Sequence, residues 1–155
     1  MNDKMLVLQR SIQHDMEDIA AIYQTLERHP LDAHSDEEQL IVISYYLHNL
    51  YNAFENVFQN IAAAFENSID DMGRWHTQLL ERMRLDVMPL RPAVIDDEAY
   101  TALDELRRFR HMFRHAYSLH LDPMRLGIVL HKALLLKNLY RAQFDSFLTF
   151  LDSLA

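Results

Sequence analysis

Apolar residues return at helical spacing along almost the whole chain, and the few prolines and glycines fall where that rhythm breaks. A first helix is predicted over about residues 3–29, with Met5, Leu8, Ile12, Met16, Ile19, Tyr23 and Leu26 on one face and Pro30 ending it. Ser35 with Glu38 three positions on reads as a capping box for a long second helix reaching about residue 70. Its stripe is Leu40, Ile43, Leu47, Leu50, Phe54, Val57, Ile61 and Phe65. Gly73 separates a shorter helix over about 74–86, and the Pro-containing run 87–95 is the longest loop. Asp96 or Asp97 caps a helix through Ala99, Leu103, Leu106, Phe109, Phe113 and Ala116. Asp122-Pro123 is a cap followed by proline at the first helical position. The last helix, to about residue 152, carries Leu126, Val129, Ala133, Leu136, Tyr140, Phe144, Phe147, Leu151 and Leu154. These elements predict an all-α fold, an up-and-down bundle of four to five helices with short connections. No internal repeat or low-complexity segment divides the chain, so residues 1–155 are expected to form a single domain.

Composition narrows the choice further. Half of the 155 residues are apolar, enough for one continuous core. Two glycines and four prolines are too few to punctuate the many short strands of a sandwich or barrel. The absence of cysteine excludes a disulfide framework, a zinc ribbon, a thiol nucleophile and an iron–sulfur cluster, and it suits a reducing cytoplasm. The first apolar patch is closed by Gln9 and Arg10 before it reaches the length of a signal-peptide core. The longest apolar stretches, residues 40–47 and 61–65, fall far short of the roughly 20 residues a membrane span needs. A soluble, cytoplasmic protein with no membrane association is expected.

The net charge of −8 argues against a general nucleic-acid coat, but the charge is unevenly placed. Residues 1–100 hold 7 Lys/Arg against 18 Asp/Glu, a net of −11, whereas residues 101–155 hold 8 against 5, a net of +3. The positive charge is densest over residues 107–115, with Arg107, Arg108, Arg110, Arg114, His111 and His115 and no acid, a segment suited to holding an anionic phosphate. The acidic clusters Asp15-Glu17-Asp18 and Asp36-Glu37-Glu38 are assigned to first helical turns or solvent faces. A di-iron bundle needs Glu-x-x-His pairs, and no histidine here has a glutamate three residues before it. His111 and His115 stand one turn apart, but the surrounding arginines repel a cation, so no metal and no cofactor is expected. Glycine-rich phosphate loops and nucleophile elbows are absent, since Gly73 and Gly127 lie 54 positions apart.

At roughly 100° per residue, Arg107, Arg110, Arg114 and Tyr117 share one side of the fourth helix, beside the stripe of Leu106, Phe109, Phe113 and Ala116. They are expected to project from the bundle surface. Taken alone, such a cluster reads as a solvated basic face. The spacing Arg110-His111-x3-His115 resembles the Arg-x4-6-His motif of the HEPN superfamily of α-helical ribonucleases, and Arg110-x4-His115-x-Tyr117 resembles the signature of HepT-type toxins. Allowing four to six intervening residues also admits Arg28/His34, Arg108/His115, Arg114/His120 and Arg125/His131, but the strict spacing with tyrosine selects Arg110, His115 and Tyr117. Residues 91–95, 103–111 and 121–123 are similar to HepT-like proteins as well, and the motif ends the penultimate helix, where that family carries it.

The resemblance implies the toxin of a type VII-like toxin–antitoxin system, a metal-independent endoribonuclease. RNA supplies its own nucleophile, the 2′-hydroxyl, so cleavage needs a proton-transfer group and positive charge at the phosphate. His115, with an ordinary pKa of about 6.5, suits the first role, and a histidine so used contributes about 10² to 10⁴-fold. The planar fork of Arg110 suits the second. Arg107, Arg108 and Arg114 would guide the RNA backbone, and His111 would orient Arg110 or contact the phosphate. The family further implies a homodimer with both motifs at one cleft. It also implies a partner, a minimal nucleotidyltransferase antitoxin that transfers AMP onto Tyr117. The alternative on the same fold is a non-catalytic HEPN-like module that binds a nucleotidyltransferase or a nucleotide, and an inert helical interaction domain is a third reading.

Overall fold

A computed structural model of the chain describes residues 3–66, 75–114 and 120–154. Those residues form α1 (Asp3–Glu27), α2 (Glu37–Phe65), α3 (Trp75–Met83), α4 (Asp97–Arg114) and α5 (Pro123–Ser153), with one isolated bridge between Val87 and Arg91. The fold is all-α, as the periodicity predicts. Cross-helix contacts fix the directions. Asp15 meets Asn56 and Ser11 meets Asn60, so α1 and α2 are antiparallel. Tyr23 reaches Ala133 while Gln9 reaches Asp152, so α1 and α5 are antiparallel too. His48 packs on Phe113 and Asn52 on Arg110, which sets α4 antiparallel to α2.

The apolar stripes become the core in nearly the expected order. All seven stripe residues predicted for α1 are buried. Each large apolar side chain taken out of water contributes about 1.5 to 3 kcal/mol, against tenths of a kcal/mol per residue for helix propensity. Packing rather than local preference therefore holds these helices. Phe54 of α2 lies at the centre, edge-on to Tyr140 at 5.3 Å and to Phe144 at 5.9 Å between ring centroids. The Tyr23 hydroxyl, buried between α1 and α5, donates to the Ala133 carbonyl at 2.7 Å, which removes the cost of an unpaired polar group.

Helix ends depart from the sequence reading where tertiary hydrogen bonds decide them. The capping box of α2 uses Asp36 and Gln39, one residue later than Ser35 and Glu38. The Ser35 hydroxyl is occupied by the backbone N–H of Asp32 at 3.0 Å and so does not cap the helix. Asp96 caps α4 by accepting from the Ala99 N–H at 2.8 Å, and Asp122 caps α5 by accepting from the Met124 N–H at 3.0 Å. Gly73 lies outside the described residues. Asp15 is buried on the α1 stripe, three residues after Ile12 and four before Ile19, rather than solvated. Burial pushes its pKa up, opposed by the hydrogen bond from Asn56 at 3.0 Å.

The helix α3 stops at Met83, short of the expected residue 86, because the following loop takes its carbonyls. Met83 O accepts from Val94 N at 2.8 Å, and Arg91 gathers the carbonyls of Arg82, Leu85 and Pro92, each at 3.1 Å. Arg91 is 0% exposed, and its charge is balanced by Glu66 at the end of α2, 2.5 Å away. Breaking a buried pair by removing one partner costs about 3 to 5 kcal/mol. Arg91→Ala is therefore expected to lose about that much stability in urea denaturation, with the helices loosened where α2 meets the loop before α4.

Candidate functional site

The basic segment lies in the last turns of α4, where that helix crosses α2. Ala99, Ala102, Leu103, Leu106 and Phe109 bury one face of α4, and Arg110 continues that face seven residues after Leu103. Arg110 is 4% exposed. Its Nη1 donates to Glu55 Oε1 at 2.8 Å and to Asn52 Oδ1 at 2.9 Å, both on α2. The guanidinium carbon also stands 4.7 Å from the centre of the Tyr51 ring, a cation–π contact inside the seam. Burial, with the Glu55 carboxylate next, pushes the Tyr51 phenol's pKa up, so it stays neutral.

His48 completes the group. Its ring packs against Phe113 at 5.6 Å, and its Nε2 lies 3.2 Å from the Asn52 amide nitrogen. Burial first, and then the charges of Arg110 and Arg114, hold its pKa below the ordinary histidine value. Along α2, His48, Asn52 and Glu55 follow at intervals of four and three residues, so they share one face, turned toward α4. Asn52 is exposed and Glu55 is buried, which places the group at the rim of the α2–α4 seam.

A family model described as HepT-like protein matches residues 42–151, from the second turn of α2 almost to the end of α5. The chain belongs to the HepT-like family. No curated protein and no solved structure matches it. HepT-like proteins are HEPN-type toxins generally paired with nucleotidyltransferase antitoxins. Among the described residues no helix is long and apolar enough to cross a membrane.

In this HepT-like chain the sequence-predicted site residues separate into three groups. Arg110 does not project from the surface as expected. The buried arc of α4 is wider than its apolar stripe, because the helix packs on both α2 and α5, and Glu55 supplies the charge that lets an arginine enter it. Arg108, Arg114 and His111 are exposed, as a basic face requires, and Arg107 is half-buried. Asp104 binds Arg107 at 2.8 Å and Arg108 at 2.9 Å, so the acid-free run 107–115 is met by acids from outside it. His115 and Tyr117 lie outside the described residues.

The sequence reading missed His48, Asn52 and Glu55. Their signal was present: three polar residues on one side of a helix that is otherwise among the most apolar of the chain. Arg110→Ala in the HepT-like bundle is expected to cost about 3 to 5 kcal/mol, because it leaves Glu55 charged and buried. The pair Arg110→Met with Glu55→Leu should cost less than that single change, as chemical denaturation of both variants would measure.

Proposed function

We propose that the chain is the toxin of a type VII-like toxin–antitoxin pair, an endoribonuclease that works without a metal and that a nucleotidyltransferase silences by AMPylation. The observation that carries this reading is the holding of Arg110 by Glu55, Asn52 and Tyr51 at the end of α4, five residues before His115 in a HepT-like sequence. A guanidinium held by three neighbouring groups reorganises little when charge develops on a phosphate, which is how such a group lowers a barrier.

In the reaction, the 2′-oxygen of RNA attacks the adjacent phosphorus while the bond to the 5′-oxygen breaks. One proton leaves the 2′-hydroxyl and one reaches the departing 5′-oxygen, and His115 serves that transfer. Arg110 stabilises the charge on the phosphate oxygens, Arg107, Arg108 and Arg114 guide the backbone, and His111 orients Arg110 or touches the phosphate. The products are a 2′,3′-cyclic phosphate and a 5′-hydroxyl. Two subunits bring two motifs to one cleft. An exposed apolar stripe on α5, Met124, Ile128 and Leu135, supports such pairing, since it lies on the helix that follows the motif.

One observation favours the rival, a non-catalytic module that binds a nucleotidyltransferase or nucleotide. Glu55 and Asp104 already offset three of the four arginines. RNA incubated with the purified chain in excess EDTA decides between them. The nuclease reading expects cyclic-phosphate ends by mass spectrometry, a loss of about 10² to 10⁴-fold in His115→Ala, and dimers by light scattering. Intact RNA favours the module.

Silencing by AMP transfer has its own test. The Tyr117 oxygen would attack the α-phosphorus of ATP, releasing pyrophosphate and leaving bulk and negative charge in front of the arginines. Tyr117→Phe is expected to stay active, to remain unlabelled by the partner with ATP, and to resist neutralisation. AMP found on another residue by mass spectrometry would overturn this assignment.

A further inference from the structure

We propose that Asn52 and His48 are positioning residues for Arg110: a hydrogen-bond relay that runs in one direction, from the guanidinium through the Asn52 amide to the His48 ring, fixes where the guanidinium stands when it meets a phosphate. The purpose of the relay rests on the nuclease reading, while its existence rests on geometry alone.

The direction is forced by chemistry. Arg110 Nη1 can only donate, so the Asn52 atom 2.9 Å from it is the carbonyl oxygen and the amide nitrogen is the atom turned to His48. That nitrogen also only donates, so His48 Nε2, 3.2 Å away, accepts with its lone pair. The ring proton of a neutral His48 then sits on Nδ1, a buried atom with no hydrogen-bond partner among the described residues. Arg110 thus selects the tautomer of a histidine on another helix, and the histidine in turn keeps the Asn52 carbonyl aimed at the guanidinium.

Protonation of His48 undoes this arrangement. A second ring proton on Nε2 would face the N–H groups of Asn52, donor against donor. Turning the amide over would only move that conflict to Arg110. Because Asn52 is exposed, its side chain can swing out to water, and Nη1 then keeps Glu55 but loses Asn52. Among the described residues, the groups facing His48 are Arg110, Arg114 and the Phe113 ring from α4 and Asn52 from its own helix, with Glu55 bonded to Arg110. Burial and the two arginines disfavour the charged ring, so the relay is intact at neutral pH and opens as pH falls through the depressed pKa. In the window below about 6.5 the unfolded chain takes up that proton before the folded one does, so His48 also lowers folding stability as pH falls there.

Nitrogen-15 NMR of the full chain, titrated from pH 8 to pH 5, tests the relay without RNA. The expected result is the Nδ1–H tautomer of His48, a midpoint below 6.5, and Arg110 side-chain N–H signals that shift as His48 titrates. In His48→Gln the glutamine amide oxygen still accepts from Asn52 and cannot titrate, so the Arg110 signals should hold their positions over the same range. In Asn52→Asp a carboxylate accepts from both sides, and the His48 midpoint should rise from its value in the unaltered chain. An Nε2–H tautomer in the unaltered chain, the same shift of the Arg110 signals in His48→Gln, or an unmoved midpoint in Asn52→Asp would each overturn the proposal. RNA cleavage adds a separate readout, a step in the rate at the His48 midpoint, on top of the profile that His115 itself gives, present in the unaltered chain and missing in His48→Gln. A chain that cleaves no RNA overturns the nuclease reading and leaves the NMR outcomes to decide the relay.

Discussion

A guanidinium taken out of water needs an opposite charge beside it, and α2 meets that need twice. Glu55 balances Arg110 near the end of α4, and Glu66 balances Arg91 in the loop that leads into α4. The two glutamates are eleven residues apart, roughly 16 Å along the helix and on nearly the same face. Apolar side chains buried on both helices already resist sliding of α4 along α2, and the charges add to that resistance. With charges at both ends of the seam, a slip would strand two buried ions at several kcal/mol each. The register of α2 against α4 is thereby set by charge as well as by packing, and with it the place of the basic segment.

The apolar stripes were legible in the sequence because burial dominates the energetics and leaves a period that no local preference hides. Helix ends were less legible where a choice depended on distant atoms. Ser35 and Asp36 are both competent caps, and only the turn that occupies the Ser35 hydroxyl decides for Asp36. The end of α3 depends on Arg91, a residue that reads on the page as an ordinary loop arginine.

The site was legible in part. The arginine cluster and its place at the end of the penultimate helix follow from the sequence, and so does membership in the HepT-like family. What a helical wheel could not convey is that Arg110 faces inward, because a wheel treats each helix by itself and sorts arginine with solvent. The carboxylate that reverses that sorting comes from a residue 55 positions away. His48 was passed over for the same reason, since its role depends on an amide whose orientation is fixed by a third residue on another helix.

Arginines on the same short stretch of α4 are neutralised under two different regimes. The pair of Arg110 with Glu55 is buried, where dissolved ions do not reach, while Asp104 ties an Arg108 that stands in the solvent, where dissolved ions screen the pair. Raising salt therefore weakens the outer tie and leaves the inner one intact. One face of α4 senses the ionic medium while the other is blind to it, so the surface charge of this helix can be changed from outside without disturbing the seam that holds it.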